Sequence, residues 1–283
     1  LVNNLNNHGE YQIELDLKGL LQPIASTGFS IKLFPYYKAP RDIRPFDVPV
    51  KLVDFELAKS KSAQTVYQKN LPGDILWDLV LERVTTCIDN VNHVRRIARL
   101  AQMEEETVVL ALKHLDYYGC IALVDIFKFS NIYEAQHQMR ELLRDPNLQR
   151  ECLEYVTGGG HGSSDVQLEE LLRLYTTLQQ RRTVAEWVVD NGVGVDRLDV
   201  RRFVVFGVIH GLLRRVHRYP ILSEPRPRSE DESAEPDVGL EPRILGMLDG
   251  AHPLDEISVA SGLDAVTLRG KFSLHGKVEY MYM

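Results

Sequence analysis

The sequence predicts a mainly α protein with small β wings, an α+β chain. Winged-helix-like units and a helical bundle region follow an extended N-terminal segment. Three observations carry this. Apolar residues recur at helical spacing from Leu71 onward. Twice, a helix-turn-helix pattern leads into a short β-patterned run, at 71–134 and 243–283. Before Leu71 the pattern is that of strands and loops.

Residues 1–57 read as extended, the tail of a preceding region. Ile31, Leu33 and Pro35 follow Gly28, and Val48 to Val53 is β-branched and bounded by prolines, which suits an edge strand or an arm. Polar residues 58–71 read as a loop. Pro72 opens the first helix, with Ile75, Leu76, Leu79, Val80 and Val84 on one face. Asn92 is placed to cap the second, with Val94, Ile97, Ala98 and Ala101. A turn at Met103 leads to a third, which Gly119 ends. The apolar run Cys120 to Phe129 is the length of a buried strand.

Residues 135–221 form the helical region. A helical stretch over 136–157 is interrupted at Asp145-Pro146, and Gly158 to Gly162 is a flexible loop. Asp165 or Ser164 starts the next helix, through Leu168, Leu171, Leu172 and Tyr175. Thr183 caps a short one with Val184, Trp187 and Val188. Leu198 to Val216 is apolar on most faces, the pattern of a helix in the middle of a bundle, and Tyr219-Pro220 stops it. Segment 222–242 holds four prolines, seven acidic residues and two arginines and reads as a disordered acidic linker. In the last unit Leu254, Ile257 and Ala260 share a helix, Gly262 makes the turn, Asp264 caps the next helix, and Lys277 to Met283 alternates as a strand.

Composition narrows the function classes. The chain has 283 residues, 44% hydrophobic and 26% charged, enough for about two domains with a real core. With 33 Lys and Arg against 40 Asp and Glu, its net charge of −7 argues against a protein that coats phosphate backbones. Cys87, Cys120 and Cys152 form no C-x-x-C pair and number three, so they read as small buried apolar residues in a reducing compartment. The histidines lack metal-ligand spacing, and no cofactor is expected. No apolar run is long enough to span a bilayer. The Gly158-Gly159-Gly160-His161-Gly162 loop lacks the G-K-[ST] ending of a phosphate cradle.

Two winged-helix-like units raise nucleic-acid binding as the alternative. The first argues against it: its third helix carries Glu104, Glu105, Glu106 and Asp116 against Lys113. The second carries Arg269, Lys271, His275 and Lys277 and is less decisive. Arg95, Arg96 and Arg99 read as a solvated helix face. The basic cluster Arg214, Arg215, His217 and Arg218 has three readings: complement to the helix dipole, contact with an acidic partner surface, or contact with anionic lipid. No nucleophile–base pair or pair of carboxylates stands out, so no catalytic, cofactor-binding or metal residue is assigned. The residues alone describe an α-rich, cytosolic interaction protein.

Several stretches in order are similar to the nitrogen permease regulator 2 family. They include Asn3-Asn4 with Leu5-Asn6-Asn7, Ile31-Lys32-Leu33-Phe34-Pro35 and Arg44-Pro45-Phe46-Asp47-Val48-Pro49. Ile88-Asp89 through His93-Val94, Tyr117-Tyr118-Gly119, Phe129-Ser130-Asn131-Ile132-Tyr133 and Cys152 to Thr157 follow. Phe206-Gly207, Leu213-Arg214-Arg215 through Tyr219-Pro220, and Leu254 to Ile257 close the series. The resemblance implies a regulatory subunit of a GATOR or Iml-type complex. That complex contains a nitrogen permease regulator 3-like partner and a larger third subunit. It accelerates GTP hydrolysis on a Rag-type GTPase, inhibiting the TOR kinase complex when amino acids or nitrogen are scarce. The implied place is the cytoplasm, peripheral at the vacuolar or lysosomal surface. In the family an N-terminal longin domain supplies the activating arginine, so the chain is expected to begin downstream of it. Arg44 matches a family arginine and is expected to be structural.

Overall fold

The computed structural model describes the strands β1 (Glu10–Glu14) and β2 (Gly28–Lys32) and residues 41–56, 78–157, 167–179, 182–193, 198–225 and 240–283. The loop expected at 58–71 and the glycine loop lie outside these, as does Pro72; the helix expected to open at Pro72 instead begins at Leu79, because Asp78 is extended and caps it. β1 and β2 pair antiparallel. β3 (Val48–Lys51) precedes α1 (Leu79–Cys87), α2 (Val94–Ala101) and α3 (Glu105–Tyr117), and β4 (Ile121–Val124) follows. β3 and β4 pair antiparallel, with Pro49 opposite Leu123. Each sheet among the described residues has two strands, so both strands are edges and Pro49 costs no central ladder bond.

Local chemistry sets the ends of these helices. Asp78 caps α1, accepting the Leu81 N–H at 2.7 Å. The α2 cap is His93, not Asn92: the imidazole accepts from Arg96 N. A turn at Arg44–Asp47 completes that terminus. Asp47 O accepts Val94 N–H and Pro45 O accepts Arg95 N–H, both at 3.0 Å, satisfying first-turn donors that a helix leaves open. Buried Asp47 accepts from Arg44 N at 2.8 Å, and the Arg44 guanidinium lies 4.5 Å from the centre of the Phe46 ring. Gly119, at φ 66°, turns the chain after α3 where a Cβ would be strained. Val84, Ile97, Val108, Leu112 and Leu115 make the core of this part.

Next come β5 (Ile132–Ala135), α4 (Met139–Arg144), α5 (Pro146–Thr157), α6 (Leu168–Thr176), α7 (Val184–Asp190) and α8 (Val200–Ile209). The break at Asp145 is as expected. Gln167 stands at the start of α6, so the expected start at Asp165 or Ser164 falls outside the described residues. Thr183 and Glu186 form a capping box on α7. α8 is apolar nearly all round because it packs on two sides. Phe203 and Val204 join Tyr175 and Trp187 in one core, and Val205 meets Val48, Val50 and Val124 in another.

The helix expected over Leu198 to Val216 ends at Ile209. Gly211 at φ 67° breaks it, and the chain continues as β6 (Leu213–Val216), antiparallel to β5. β7 (Arg218–Pro225) follows, so residues 222–225 of the expected linker are strand, while 226–239 lie outside the described residues. Leu240 is buried again. α9 (Pro242–Gly246), α10 (Leu254–Ser261), α11 (Ala265–His275) and β8 (Gly276–Tyr282) complete the chain, with Gly262 and Asp264 in their expected roles. β8 pairs antiparallel with β7, Arg218 opposite Tyr282. Ile257, Leu268 and Phe272 form this unit's core, with Leu222 of β7 packed against it.

Candidate functional site: a buried ionic junction

The fold sorts the basic cluster Arg214–Arg218 residue by residue. None of these side chains ends a helix, so the helix-dipole reading does not hold. Alternation along a strand sends neighbours to opposite faces. Arg214 turns outward and pairs across the β5–β6 sheet with Glu134 at 3.1 Å. Arg215 turns inward and is buried. His217 faces Asp125 at 3.5 Å. Arg218 donates to Ser130 O.

Arg215 is the centre of a junction among three parts of the chain. Its Nη2 lies 2.5 Å from Asp255 Oδ2, at the start of α10. Its Nη1 donates to Ile126 O at 3.0 Å, and Nη2 donates to Asn131 Oδ1 at 2.9 Å. Lys128 Nζ reaches Asp255 Oδ1 at 3.0 Å from the segment after β4. Asn131 donates to Ile126 O and to Tyr133 Oη, which locks the segment that carries Lys128. A planar guanidinium fits such a site because it serves several acceptors at once and keeps its charge. A cavity of about 20 Å³ lies beside the pair, lined by Lys128, Ser130, His217, Leu254 and Ala265 among others.

Charge balance holds the junction. Burial works to raise the Asp255 carboxyl, but Arg215 and Lys128 outweigh it and hold the group below the usual carboxylate range. Arg215 is held charged: burial opposes the charge, and Asp255, Tyr133 and Asp125 together more than offset that. Burial holds the His217 imidazole below its ordinary value; Arg215 adds to this and Asp125 opposes it. The His217 backbone exchanges two hydrogen bonds with Met283, at 2.7 and 3.1 Å, so the end of β8 is tied to the same place. A second tie lies nearby: Arg95 donates to Val259 O at 3.0 Å and pairs with Glu105 at 3.1 Å.

The other sequence candidates are placed as follows. Cys120 and Cys152 are buried, and burial pushes both thiols up to about 11, which keeps them protonated. Cys87 is half-buried. Arg44 serves the turn at the start of α2, bonded to Asp47. Arg96 and Arg99 are exposed on α2. Lys113 pairs with Asp42 at 3.0 Å, and His275 accepts from Leu240 N. Among the described residues no group of three or more His, Cys, Asp or Glu is placed to hold a metal ion. No described helix is long and apolar enough to cross a membrane. Sequence reasoning missed Asp255 and Lys128 as partners of Arg215, since they stand 40 positions after and 87 before it.

Comparison with known proteins agrees with the resemblance read from the sequence. The family model for nitrogen permease regulator 2 matches residues 1–166 and 160–275. The nitrogen permease regulator 2 homolog of Schizosaccharomyces pombe is 34% identical over 259 residues, 92% of this chain and 56% of that protein. The GATOR complex protein NPRL2 of Drosophila melanogaster is 27% identical over 192 residues, 68% of this chain and 43% of that protein. Nitrogen permease regulator 2 of Saccharomyces cerevisiae is 30% identical over 154 residues, covering 54% and 22% respectively. The chain spans about half, or less, of the length of these relatives. None of these findings supports the nucleic-acid-binding alternative.

Proposed function

Because the chain belongs to the nitrogen permease regulator 2 family, we propose that it is a regulatory subunit of a GATOR-type complex. Its described part serves assembly. The complex accelerates GTP hydrolysis on a Rag-type GTPase and restrains TOR signalling when amino acids or nitrogen are scarce. It acts from the cytoplasm at the vacuolar or lysosomal surface as a peripheral assembly. The observation that carries this reading is the family match, which extends over both the helical parts and the C-terminal unit.

The proposed partners are a nitrogen permease regulator 3-like subunit and a larger third subunit. Support for an assembly role comes from apolar side chains that the fold leaves outside: Leu79 on α1, Leu110 on α3 and Val189 on α7 are 71%, 68% and 79% exposed. The arginine that would activate the GTPase is assigned to none of the residues here. A guanidinium inserted in trans stabilises charge on the transferring phosphoryl group and is worth about 10³–10⁵ in rate.

Co-expression with the regulator 3-like subunit, followed by affinity purification through a tag on this chain, tests the proposal. Stoichiometric recovery of the partner is expected, and its absence would sink the reading. Single-turnover GTP hydrolysis by the Rag-type GTPase should not speed up with the isolated chain. A clear increase would put the active arginine here.

A further inference from the structure

The sorting of the basic cluster leaves one member without a carboxylate partner. Arg214 has Glu134, Arg215 has Asp255 and His217 faces Asp125. Among the described residues Arg218 donates to a carbonyl, Ser130 O, which fixes the guanidinium without neutralising it. Two cations, Arg269 and Arg215, stand in its field, and the Glu186 carboxylate feels its charge more weakly. Burial holds Arg218 below the ordinary guanidinium value, and Arg269 and Arg215 push it the same way.

The antiparallel register explains the meeting. Arg218 lies opposite Tyr282 and Pro220 opposite Tyr280, on the ribbon face that α11 covers. β8 runs back along α11, so the end of the strand reaches the start of the helix. Arg218 and Ala265 accordingly line one cavity. Arg269, one turn into α11, acts on Tyr280 together with Arg218. Around them Val266 is 78% exposed and Tyr282 56% exposed. Among the described residues no carboxylate forms an ion pair with Arg218 or Arg269. Asp264 accepts from Val266 and Thr267, Glu186 accepts from Thr183, and Glu279 pairs with Lys277.

We propose that Arg218 and Arg269, framed by Tyr280, Tyr282 and Val266, form a docking surface for an acidic segment of a partner protein. Two guanidiniums held near each other leave a local positive field on a chain whose net charge is −7. Carboxylates supplied in trans relieve that repulsion, and arginines supply the planar forks that bind them. Tyrosine and arginine beside an exposed aliphatic side chain are the composition of protein-binding anchors. A duplex would need many more phosphate contacts than two arginines make, and an anionic membrane a larger basic patch. The surface follows from the geometry whichever complex the chain joins.

Fluorescence polarisation with the full chain and a fluorescein-labelled peptide of Glu-Glu-Leu-Glu repeats tests this. Saturable binding is expected. It should fall at least tenfold with Arg269→Glu, weaken with Val266→Asp, and weaken as salt rises. Arg269 is exposed, and unchanged circular dichroism and melting of R269E will confirm its fold. The control R96E makes the same charge change on exposed α2 and should bind as the parent does. The proposal fails if the parent shows no saturable binding, if R269E binds normally, or if R96E loses as much. It fails equally if duplex DNA or phosphatidylserine vesicles bind more tightly than the peptide and lose that binding with R269E.

Discussion

Replacing Asp255 by asparagine keeps the shape of the side chain and removes the charge that Arg215 faces. Arg215 and Asp255 side chains are 8% and 6% exposed, so neither can turn to water in place. In the variant Arg215 keeps Ile126 O and Asn131 Oδ1, both neutral acceptors. Removing one partner of a buried pair costs about 3–5 kcal/mol, because the other charge is left uncompensated. Lys128 is partly exposed and can be solvated, so its lost pairing adds about 0–1 kcal/mol. A cost near 3 kcal/mol is a large share of the roughly 5–15 kcal/mol that holds a domain folded. It should appear first as opening of the C-terminal unit. Hydrogen exchange at α10 and α11 amides should speed up by about 10²-fold, with α3 changed less. A double variant, Arg215→Met with Asp255→Leu, should lie within about 1 kcal/mol of the parent, since apolar pairs replace buried ion pairs well. Unchanged exchange in D255N, or a double variant as costly as the sum of the single changes, would refute the junction argument.

Gly207→Ala should cost about 1–3 kcal/mol in urea unfolding, the price of overpacking, because a Cβ there would lie 2.7 Å from Leu213 and 2.9 Å from Tyr175 side-chain atoms. Tyr175→Phe should cost about 1–3 kcal/mol in the same measurement, since the buried Tyr175 hydroxyl donates to Phe203 O at 2.8 Å and that carbonyl would lose its side-chain donor. Thr183→Ala should cost about 1 kcal/mol, read as a lower melting temperature, through loss of the capping box on α7. Stability should fall with acid in two stages. His217 is held neutral, so its loss begins as pH drops below about 6.5, the unfolded value, and is complete below the depressed folded value. Asp255, held below its usual range, contributes above about pH 4 and withdraws that share only as pH falls through the folded value. Urea midpoints measured from pH 7.5 downward should show the first stage, and His217→Gln should remove part of it, the rest belonging to His93 and His210, which burial also holds low.

The fold class was legible, and so were α3, α7, α10 and α11, because each carries one apolar face and a clear punctuation residue such as Gly119, Thr183, Gly262 or Asp264; the apolar face of α2 was legible and its cap was not. The stretch Leu198 to Val216 was not. A helix packed on two sides shows no period, and the apolar run continues into β6 without a change of composition; only Gly211 marks the break. β5 is four residues long, and its partner β6 lies about 80 positions on, so nothing local announces it. The candidate site was legible as a cluster and illegible as an arrangement. Arg214 and Arg215 look alike in sequence, and only the strand alternation, set by β5, decides which faces water and which faces Asp255.

The β7–β8 ladder closes the C-terminal unit on itself. The chain enters the unit at Arg218 and finishes at Met283, whose backbone bonds His217. Covalent continuity between 225 and 240 is therefore not what keeps the unit in place. A single proteolytic cut within 226–239 would leave the ribbon, the Arg215–Asp255 pair and the Arg95–Val259 bond to hold the halves. The cleaved protein would migrate as one species in a native gel and as two in denaturant, and the fragments would be candidates for reassembly by mixing.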